Sequence, residues 1–504
     1  MGKPKNESPE KFVETYITES GSTWYFPNQK GYKYLKAAAD RKGLVEKDGK
    51  FTLPSVYEEE NKIARFAVAR QNVEVEIDCT DVKLNLFISL YEQLECITLD
   101  TWQKEAVHQA MKNNLFILTG GPGTGKTCVL KCIRFCLNKL GIKDILFAAP
   151  TGKAARRITE SVGGVKAYTV AKALGLYTED TEPKKIKRDV VIVDEISMLD
   201  TKTAKALFSA VDIHTKFILV GDVEQLPSVG YGSILRDLID AGLPCVKLEK
   251  TFRQASESGI FANIEQIKAG LYMGFIERDD FKILTAENTE EARDKMISEY
   301  LDACDKYGAD QVVCLTPYRR KGEACAIKIN RLLQEKLNPK SDGKRYIRYT
   351  AVEDDGYEYQ ITLRVGDPVM QLVNAYKVAN GDVGRVVDIS PSNIVTVRFC
   401  DCEVTYNWYQ LQQLTLAYAM SVHKSQGSEY NCVITSAIEA DFEMLSRNTI
   451  YTAVTRAKKE CRIITNGDVA IRACKQESGY ERITGLCDAI RHQKKKLLAL
   501  SKLL

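Results

Sequence analysis

The chain has 504 residues, with 71 Lys and Arg against 67 Asp and Glu, 44% hydrophobic and 27% charged residues. That length holds about three domains with cores of their own, and the composition excludes wholesale disorder. A net charge of +4 neither requires nor excludes a nucleic-acid partner, so that assignment must come from local sites.

The opening MGKPKNESPEKF is polar, lacks the apolar stretch of a signal peptide, and has Asn6 where a myristoylation signal needs Ser or Thr. No apolar run reaches the ~18 residues of a transmembrane helix, so no membrane partner is expected. The 15 cysteines form no paired CxxC; Cys128, Cys132 and Cys136 recur at helical spacing and Cys400-x-Cys402 at strand spacing. Buried reduced thiols are the expectation, which fits a cytoplasmic location.

Residues 1–97 carry no catalytic signature. Tyr34–Lys42 reads as a helix stopped by Gly43, followed by a hairpin around Asp48-Gly49 and a charged amphipathic helix from Val56 to Arg70. Helix plus hairpin is compatible with a winged-helix-like module. Trp24-Tyr25-Phe26 beside Lys30, Lys33 and Lys36 reads either as a base-stacking cluster or as core.

From residue 98 short apolar runs alternate with amphipathic helices: Leu115–Leu118, Ile145–Ala149, Val190–Val193 and Phe217–Val220. This is the pattern of a parallel sheet covered on both faces. A second set follows at Val312–Leu315, Cys432–Thr435 and Arg462–Thr465, which predicts a second α/β domain. Between 340 and 412 the chain breaks into short β-rich segments, read as a small β-barrel inserted into that second domain. Residues 471–504 end in a basic amphipathic helix.

GGPGTGKT (Gly120, Gly121, Pro122, Gly123, Thr124, Gly125, Lys126, Thr127) fits a phosphate-binding loop in full and lies between a strand and a helix. The glycines let backbone N–H groups wrap phosphates; Lys126 reaches the β- and γ-phosphates, and the Thr127 hydroxyl can hold Mg²⁺. VVIVDEIS places Asp194 and Glu195 at a strand's C-terminal end, Asp194 toward the metal and Glu195 toward the attacking water. Gln225 in GDVEQLPSVG could sense the γ-phosphate. Arg253 in LEKTFRQ and Arg456 in YTAVTRAKK are candidates for stabilising transition-state charge.

In this order GGPGTGKT, APTGKAA (Ala149–Ala155), VVIVDEIS, GDVEQLPSV, TFRQ, VHKSQGSE (Val422–Glu429) and YTAVTRAKK resemble superfamily 1 DNA helicases, nearest the RecD-like 5′-to-3′ branch. The resemblance implies an α/β protein with two RecA-like P-loop motor domains, ATP and Mg²⁺ in the cleft between them, an SH3-type barrel around NGDVGRVV (Asn380–Val387) and an N-terminal winged-helix-like region. It divides the chain into 1–97, a first motor domain 98–249, a second at 250–339 and 413–470, the barrel at 340–412, and the C-terminal helix at 471–504.

Lys126, Asp194, Glu195, Gln225, Arg253 and Arg456 then fall on catalytic motif positions, and Gln103 of LDTWQ on the adenine-recognition position. Thr151, Lys153, Arg319 and His423 fall on the single-strand track. Residues 176–188 occupy the place of a strand-separating pin and read as a polar protrusion. The chain leaves no room for an upstream helix-hairpin-helix array, and Ala171 stands where many relatives carry histidine. The implied activity is ATP-driven 5′-to-3′ translocation and unwinding of single-stranded and forked DNA in repair, recombination or replication, with protein partners. The alternatives are an ATP-gated DNA-binding subunit of a larger nuclease complex and an RNA-acting helicase. A P-loop phosphotransferase is disfavoured, since it needs no second sheet.

Overall fold

The computed structural model describes residues 8–73, 79–176, 181–251, 257–270, 274–353, 355–375, 378–400, 402–476 and 482–501. They form two compact units: residues 1–150, 154–252 and 480–504, and residues 151–153 and 253–479.

The first unit begins with helices α1 (Pro9–Ser20) and α2 (Gln29–Asp40), a hairpin of β1 (Val45–Lys47) and β2 (Lys50–Thr52), and helix α3 (Pro54–Gln71). Asp48 and Gly49 both have positive φ, 50° and 76°, as a two-residue hairpin turn requires. Of the aromatic cluster, Trp24 is only 3% exposed and donates from Nε1 to Glu60 at 2.9 Å, so it is core; Phe26, 60% exposed, is its solvent-facing member.

Helices α4 (Asp81–Glu95) and α5 (Thr101–Lys112) follow, then the sheet: β3 (Leu115–Gly120), β4 (Ile145–Ala149), β5 (Tyr168–Thr169), β6 (Val190–Val193), β7 (Lys216–Gly221) and β8 (Cys245–Leu248). Its order is β5-β4-β6-β7-β3-β8, with all pairs parallel. Every residue of β3, β6 and β7 is buried, which is why these strands read as unbroken apolar runs. The edge strand β8 exposes Lys247, and that break hides it from an apolar-run reading.

The 176–188 segment is not a free protrusion in its second half. Ile186 is buried and bridges Val211, Lys184 N donates to the Leu174 carbonyl at 2.8 Å, and Lys185 Nζ to the Ser209 carbonyl at 2.7 Å. An apolar residue at 186 inside a basic run is what packs it down. Residues 177–180 lie outside the described residues.

The C-terminal helix Leu486–Ser501 packs on α3 and on the helix Ile234–Asp240 of the same unit. Glu60 ties the ends of this unit together, accepting from the Thr23 hydroxyl at 2.5 Å, Trp24 Nε1 and the Gly485 amide at 2.8 Å.

The second unit has a parallel sheet of β9 (Phe281–Thr285), β10 (Val312–Thr316), β18 (Ala419–Ser421), β19 (Tyr430–Ala437) and β20 (Ala457–Thr465), in the order β18-β10-β19-β20-β9. Between β10 and β18 lie the hairpin β11 (Tyr346–Val352) and β12 (Glu358–Arg364), then β13 (Pro368–Gln371), β14 (Val383–Ile389), β15 (Val395–Arg398), β16 (Glu403–Tyr406) and β17 (Leu414–Leu416). The last five form an antiparallel sheet in the order β16-β15-β14-β13-β17. This insertion is rooted on buried Asp367, which accepts from the Arg364 amide (2.7 Å), Asn338 Nδ2 (2.6 Å), the Tyr418 hydroxyl (2.9 Å) and Gln334 Nε2.

All 15 cysteines are free, but the expectation of uniformly buried thiols fails at Cys96 and Cys400, which are exposed in a helix cap and a turn. Among the described residues no helix is long and apolar enough to cross a membrane.

Asp237, on the helix Ile234–Asp240, accepts from the Thr484 hydroxyl at 2.7 Å and is almost wholly buried. Burial pushes its carboxyl from the usual 3.8 up to about 8, with Glu60 and Asp240 adding repulsion and Arg236 opposing. The folded chain therefore holds a proton that the unfolded chain has lost. The stability tied to that proton is complete below about pH 4 and is lost as pH rises toward 8. Asp237→Asn is expected to melt at least ~2 °C above the parent at pH 8, with the gap shrinking toward pH 5, as differential scanning fluorimetry would show.

Candidate active site and strand track

The phosphate loop links β3 to helix α6 (Lys126–Lys139). Gly125 stands at the helix N-cap with φ +87° and no side-chain cap, so the first N–H groups of α6 point into the loop. A Cβ on Gly120 would lie 2.8 Å from the Leu248 carbonyl and from Thr124 Oγ1. Thr124 is buried and its hydroxyl donates to the Gly121 carbonyl at 2.8 Å. Lys126 Nζ donates to the carbonyls of Gly120 and Gly121, the latter at 2.9 Å, so its ammonium is held inside the loop.

Asp194 and Glu195 directly follow β6. Glu195 is buried, with φ +53°, and its amide donates to Asp194 Oδ1 at 2.8 Å. This left-handed conformation, unusual for glutamate, breaks the extended path of the chain directly after β6. Burial pushes Asp194 up to about 6; Glu195 adds repulsion, while Arg157 and Lys126 oppose it. The hard oxygens of Thr127 and Asp194 suit Mg²⁺, and the glycine cradle with its held ammonium suits a polyphosphate.

Gln225 follows β7, buried, with Nε2 3.4 Å from Asp222 Oδ2. Because β6, β7 and β3 are neighbours in register, Asp194, Glu195, Gln225 and the phosphate loop leave the sheet at one edge. Gln103 is fixed in a capping box with Asp100, and its Nε2 donates to the Thr124 carbonyl at 3.1 Å. Its side chain thus buttresses the phosphate loop.

The other candidates belong to the second unit. Arg319 follows β10 and His423 follows β18, two paired strands whose ends Thr316 and Ser421 are level. Arg319 donates to the Tyr359 hydroxyl at 2.6 Å and pairs with Glu353 at 3.0 Å; His423 is half-buried. Thr151 and Lys153 group with this unit, and Lys153 Nζ donates to the Tyr430 hydroxyl at 3.4 Å. Arg456 precedes β20, at the opposite end of the strands from Arg319. It is buried, donating to the carbonyls of Thr452 and Ser428 at 3.2 Å each and to the Thr455 hydroxyl at 3.2 Å. Arg253 lies outside the described residues.

Sequence reasoning missed Asp222, the partner of Gln225, and Arg157, the cation facing Asp194. Asp222 stands in the same GDVEQ run and was legible there; Arg157 is one of several basic residues on the helix Gly152–Val162, with no local signal to single it out.

Gly125→Ala places an L side chain at φ +87° in the loop. It is expected to abolish the thermal stabilisation given by Mg²⁺–ADP while leaving the melting temperature without nucleotide within ~3 °C of the parent, read by scanning fluorimetry.

Residues 98–280 match the AAA domain family, 329–399 the SH3 domain of ATP-dependent RecD-like DNA helicases, and 416–464 the UvrD-like helicase C-terminal domain. The chain is 34% identical over 398 residues to an ATP-dependent RecD2 DNA helicase of Deinococcus radiodurans, covering 77% of this chain and 52% of that protein. It is 28% identical over 435 residues to the RecBCD enzyme subunit RecD of Mycolicibacterium smegmatis, covering 77% of this chain and 74% of that one. The chain thus spans about half the length of the first relative. A Pif1 helicase from Bacteroides, solved with ADP-AlF3 and ssDNA, is similar with a TM-score of 0.49 and 20% identity, covering 75% of this chain and 94% of that one. With an SH3 segment of the RecD-like type lying between AAA and UvrD-like regions, the chain is similar along these regions to the RecD-like superfamily 1 helicases.

Proposed function

We propose that the chain is an ATP-dependent DNA helicase that moves 5′-to-3′ on a single strand and unwinds forked duplex, acting in the cytoplasm in DNA repair or recombination. The observation that carries this reading is the convergence of phosphate loop, acidic pair and Gln225 at one edge of the first sheet, in a chain that holds a second parallel sheet bearing Arg456. A phosphotransferase needs only the first sheet.

In this reading the amides of Gly123–Thr127 and the Lys126 ammonium hold the ATP phosphates, and Gln103 keeps the loop seated. Thr127 and Asp194 would hold Mg²⁺, which would supply positive charge to the phosphate oxygens. Glu195 orients the attacking water and Gln225 senses the γ-phosphate. Arg456 and Arg253 stabilise charge as it develops. Thr151, Lys153, Arg319 and His423 grip the single strand. Hydrolysis then alternates the grip of two motor units, and alternating grips give directed movement.

The relatives named as RecBCD subunits favour a second reading, a motor subunit that works within a larger nuclease complex. Strand displacement by the purified chain separates the two. DNA and RNA duplexes with 5′ or 3′ tails are supplied with ATP and Mg²⁺. Unwinding from 5′-tailed DNA supports the first reading; single-strand-stimulated ATPase without unwinding supports the second. Faster unwinding from 3′ tails overturns the direction, and preference for RNA overturns the substrate.

Lys126→Ala is expected to remove DNA-stimulated ATP turnover. Glu195→Gln should keep nucleotide affinity within ~3-fold while lowering turnover by at least ~100-fold, since it preserves shape and removes the water-orienting charge. Binding titrations and steady-state rates check both. Single-strand affinity should fall linearly with salt on logarithmic axes, with a slope of about −0.7 per neutralised phosphate.

A further inference from the structure

The stretch Arg482–Gly485 re-enters the first unit after the whole of the second unit has intervened in sequence. It does so at the loop that follows Gln225. Arg482 Nη1 donates to Ser228 Oγ at 3.1 Å and to the carbonyls of Gly230 and Gly232, each at 2.7 Å; Nη2 donates to the Ser228 carbonyl at 2.6 Å. Ser228 Oγ donates in turn to the Gly230 carbonyl at 2.9 Å. Three carbonyls of one short loop therefore converge on one planar guanidinium. Only arginine offers donors in that fixed fork; a lysine ammonium is a point charge on a flexible stem.

The surroundings are built for this contact. Gly21 has φ +68°, where an L side chain is strained, and a Cβ there would lie 2.5 Å from the Arg482 Cζ, so the end of α1 closes directly over the guanidinium. Its carbonyl accepts from the Gly232 amide at 2.8 Å. Arg482 is itself held by its neighbours: the Ile483 amide donates to Ser22 Oγ at 3.1 Å, the Thr484 hydroxyl to Asp237, and the Gly485 amide to Glu60. A Cβ on Gly485 would lie 2.2 Å from Trp24 Nε1, so this anchor also tolerates only glycine. The far end of the loop is fixed by the Tyr231 hydroxyl donating to Glu59 at 2.8 Å and the Thr201 amide donating to the Tyr231 carbonyl at 2.9 Å.

We propose that Arg482 is a positioning residue for Gln225: it fixes the 226–232 loop so that the Gln225 amide stays at the end of β7 beside Asp222, and it thereby sets the rate of ATP turnover rather than the affinity for nucleotide. The inference rests on the reading of Gln225 as the γ-phosphate sensor. Desolvation, which lowers the Arg482 guanidinium to about 10, leaves it charged at neutral pH, so its donors are always present. The phosphate loop and α6 take no hydrogen bond from this arginine, which is why affinity should be spared.

The test is a double-mutant cycle on the full chain, with Arg482→Lys and Gln225→Ala alone and together. Single-strand-stimulated turnover, equilibrium Mg²⁺–ADP affinity and melting temperature are measured for each. Arg482→Lys is expected to lower kcat ~10-fold with ADP affinity within ~2-fold, and to lower kcat by less than ~2-fold further once Gln225 is Ala. The same ~10-fold loss in both backgrounds, or a parallel loss of ADP affinity, overturns the proposal. Gln225→Ala turning over like the parent instead overturns the sensor reading, and this inference with it. Should Arg482→Lys fail to fold, Ser228→Ala takes its place in the cycle, with a ~3-fold loss that vanishes in the Gln225→Ala background; a loss that persists there overturns the proposal.

Discussion

The register of three neighbouring strands is the constraint on which the first unit depends. Val193 pairs level with Leu219 and Val220 with Leu118, so β6, β7 and β3 end together. Parallel strands send every connection off the same edge, and the chemistry-bearing residues have to follow. The phosphate loop, the acidic pair and Gln225 are then assembled by backbone hydrogen bonding, with side-chain packing left only to orient them. The two left-handed turns at Gly125 and Glu195 are departures from regular structure at that edge, and each re-aims a polar group.

Both units fasten an added module to a parallel sheet in the same way, through one buried carboxylate with several donors. Glu60 gathers Thr23, Trp24 and Gly485; Asp367 gathers Gln334, Asn338, Arg364 and Tyr418. Burial raises both carboxyls while the donated hydrogen bonds lower them, and burial prevails in each. Such a knot is worth having because removing any single donor leaves a buried acceptor short, so the modules resist partial detachment. Lys216 and Arg70 apply the complementary device, buried nitrogen donors that satisfy carbonyls at α5 and at residues 211–215.

What was legible in the sequence was whatever local pattern determines. The apolar runs of β3, β4, β6 and β7 are fully or largely buried on both faces and announced themselves; β8 alternates at the sheet edge and did not. The phosphate loop was legible because its glycines and lysine are contiguous. Trp24 shows the limit: its neighbours along the chain suggest an exposed aromatic cluster, whereas its actual partner, Glu60, lies 36 residues away. Ile186 likewise hides in a basic run and is packed only because Val211 presents an edge to it. The role of Arg482 could not be read at all, since its acceptors are backbone carbonyls some 250 residues earlier, and carbonyls leave no signature in sequence.

The closure of the first unit by its own two sequence ends has a consequence for how the protein is made. The Thr23 hydroxyl and the Ile483 carbonyl are 460 positions apart, yet they meet in one core. On the ribosome, the first unit emerges long before residues 482–490 exist, and the second unit is synthesised whole in between. Until then α3 lacks the helix that covers it, and Glu60 lacks one of its donors. Local elements fold quickly and distant pairings slowly, so this stretch of synthesis is a window in which an apolar helix face is open to solvent and chaperones. A helix translated only after the whole second unit is therefore the one that completes the first.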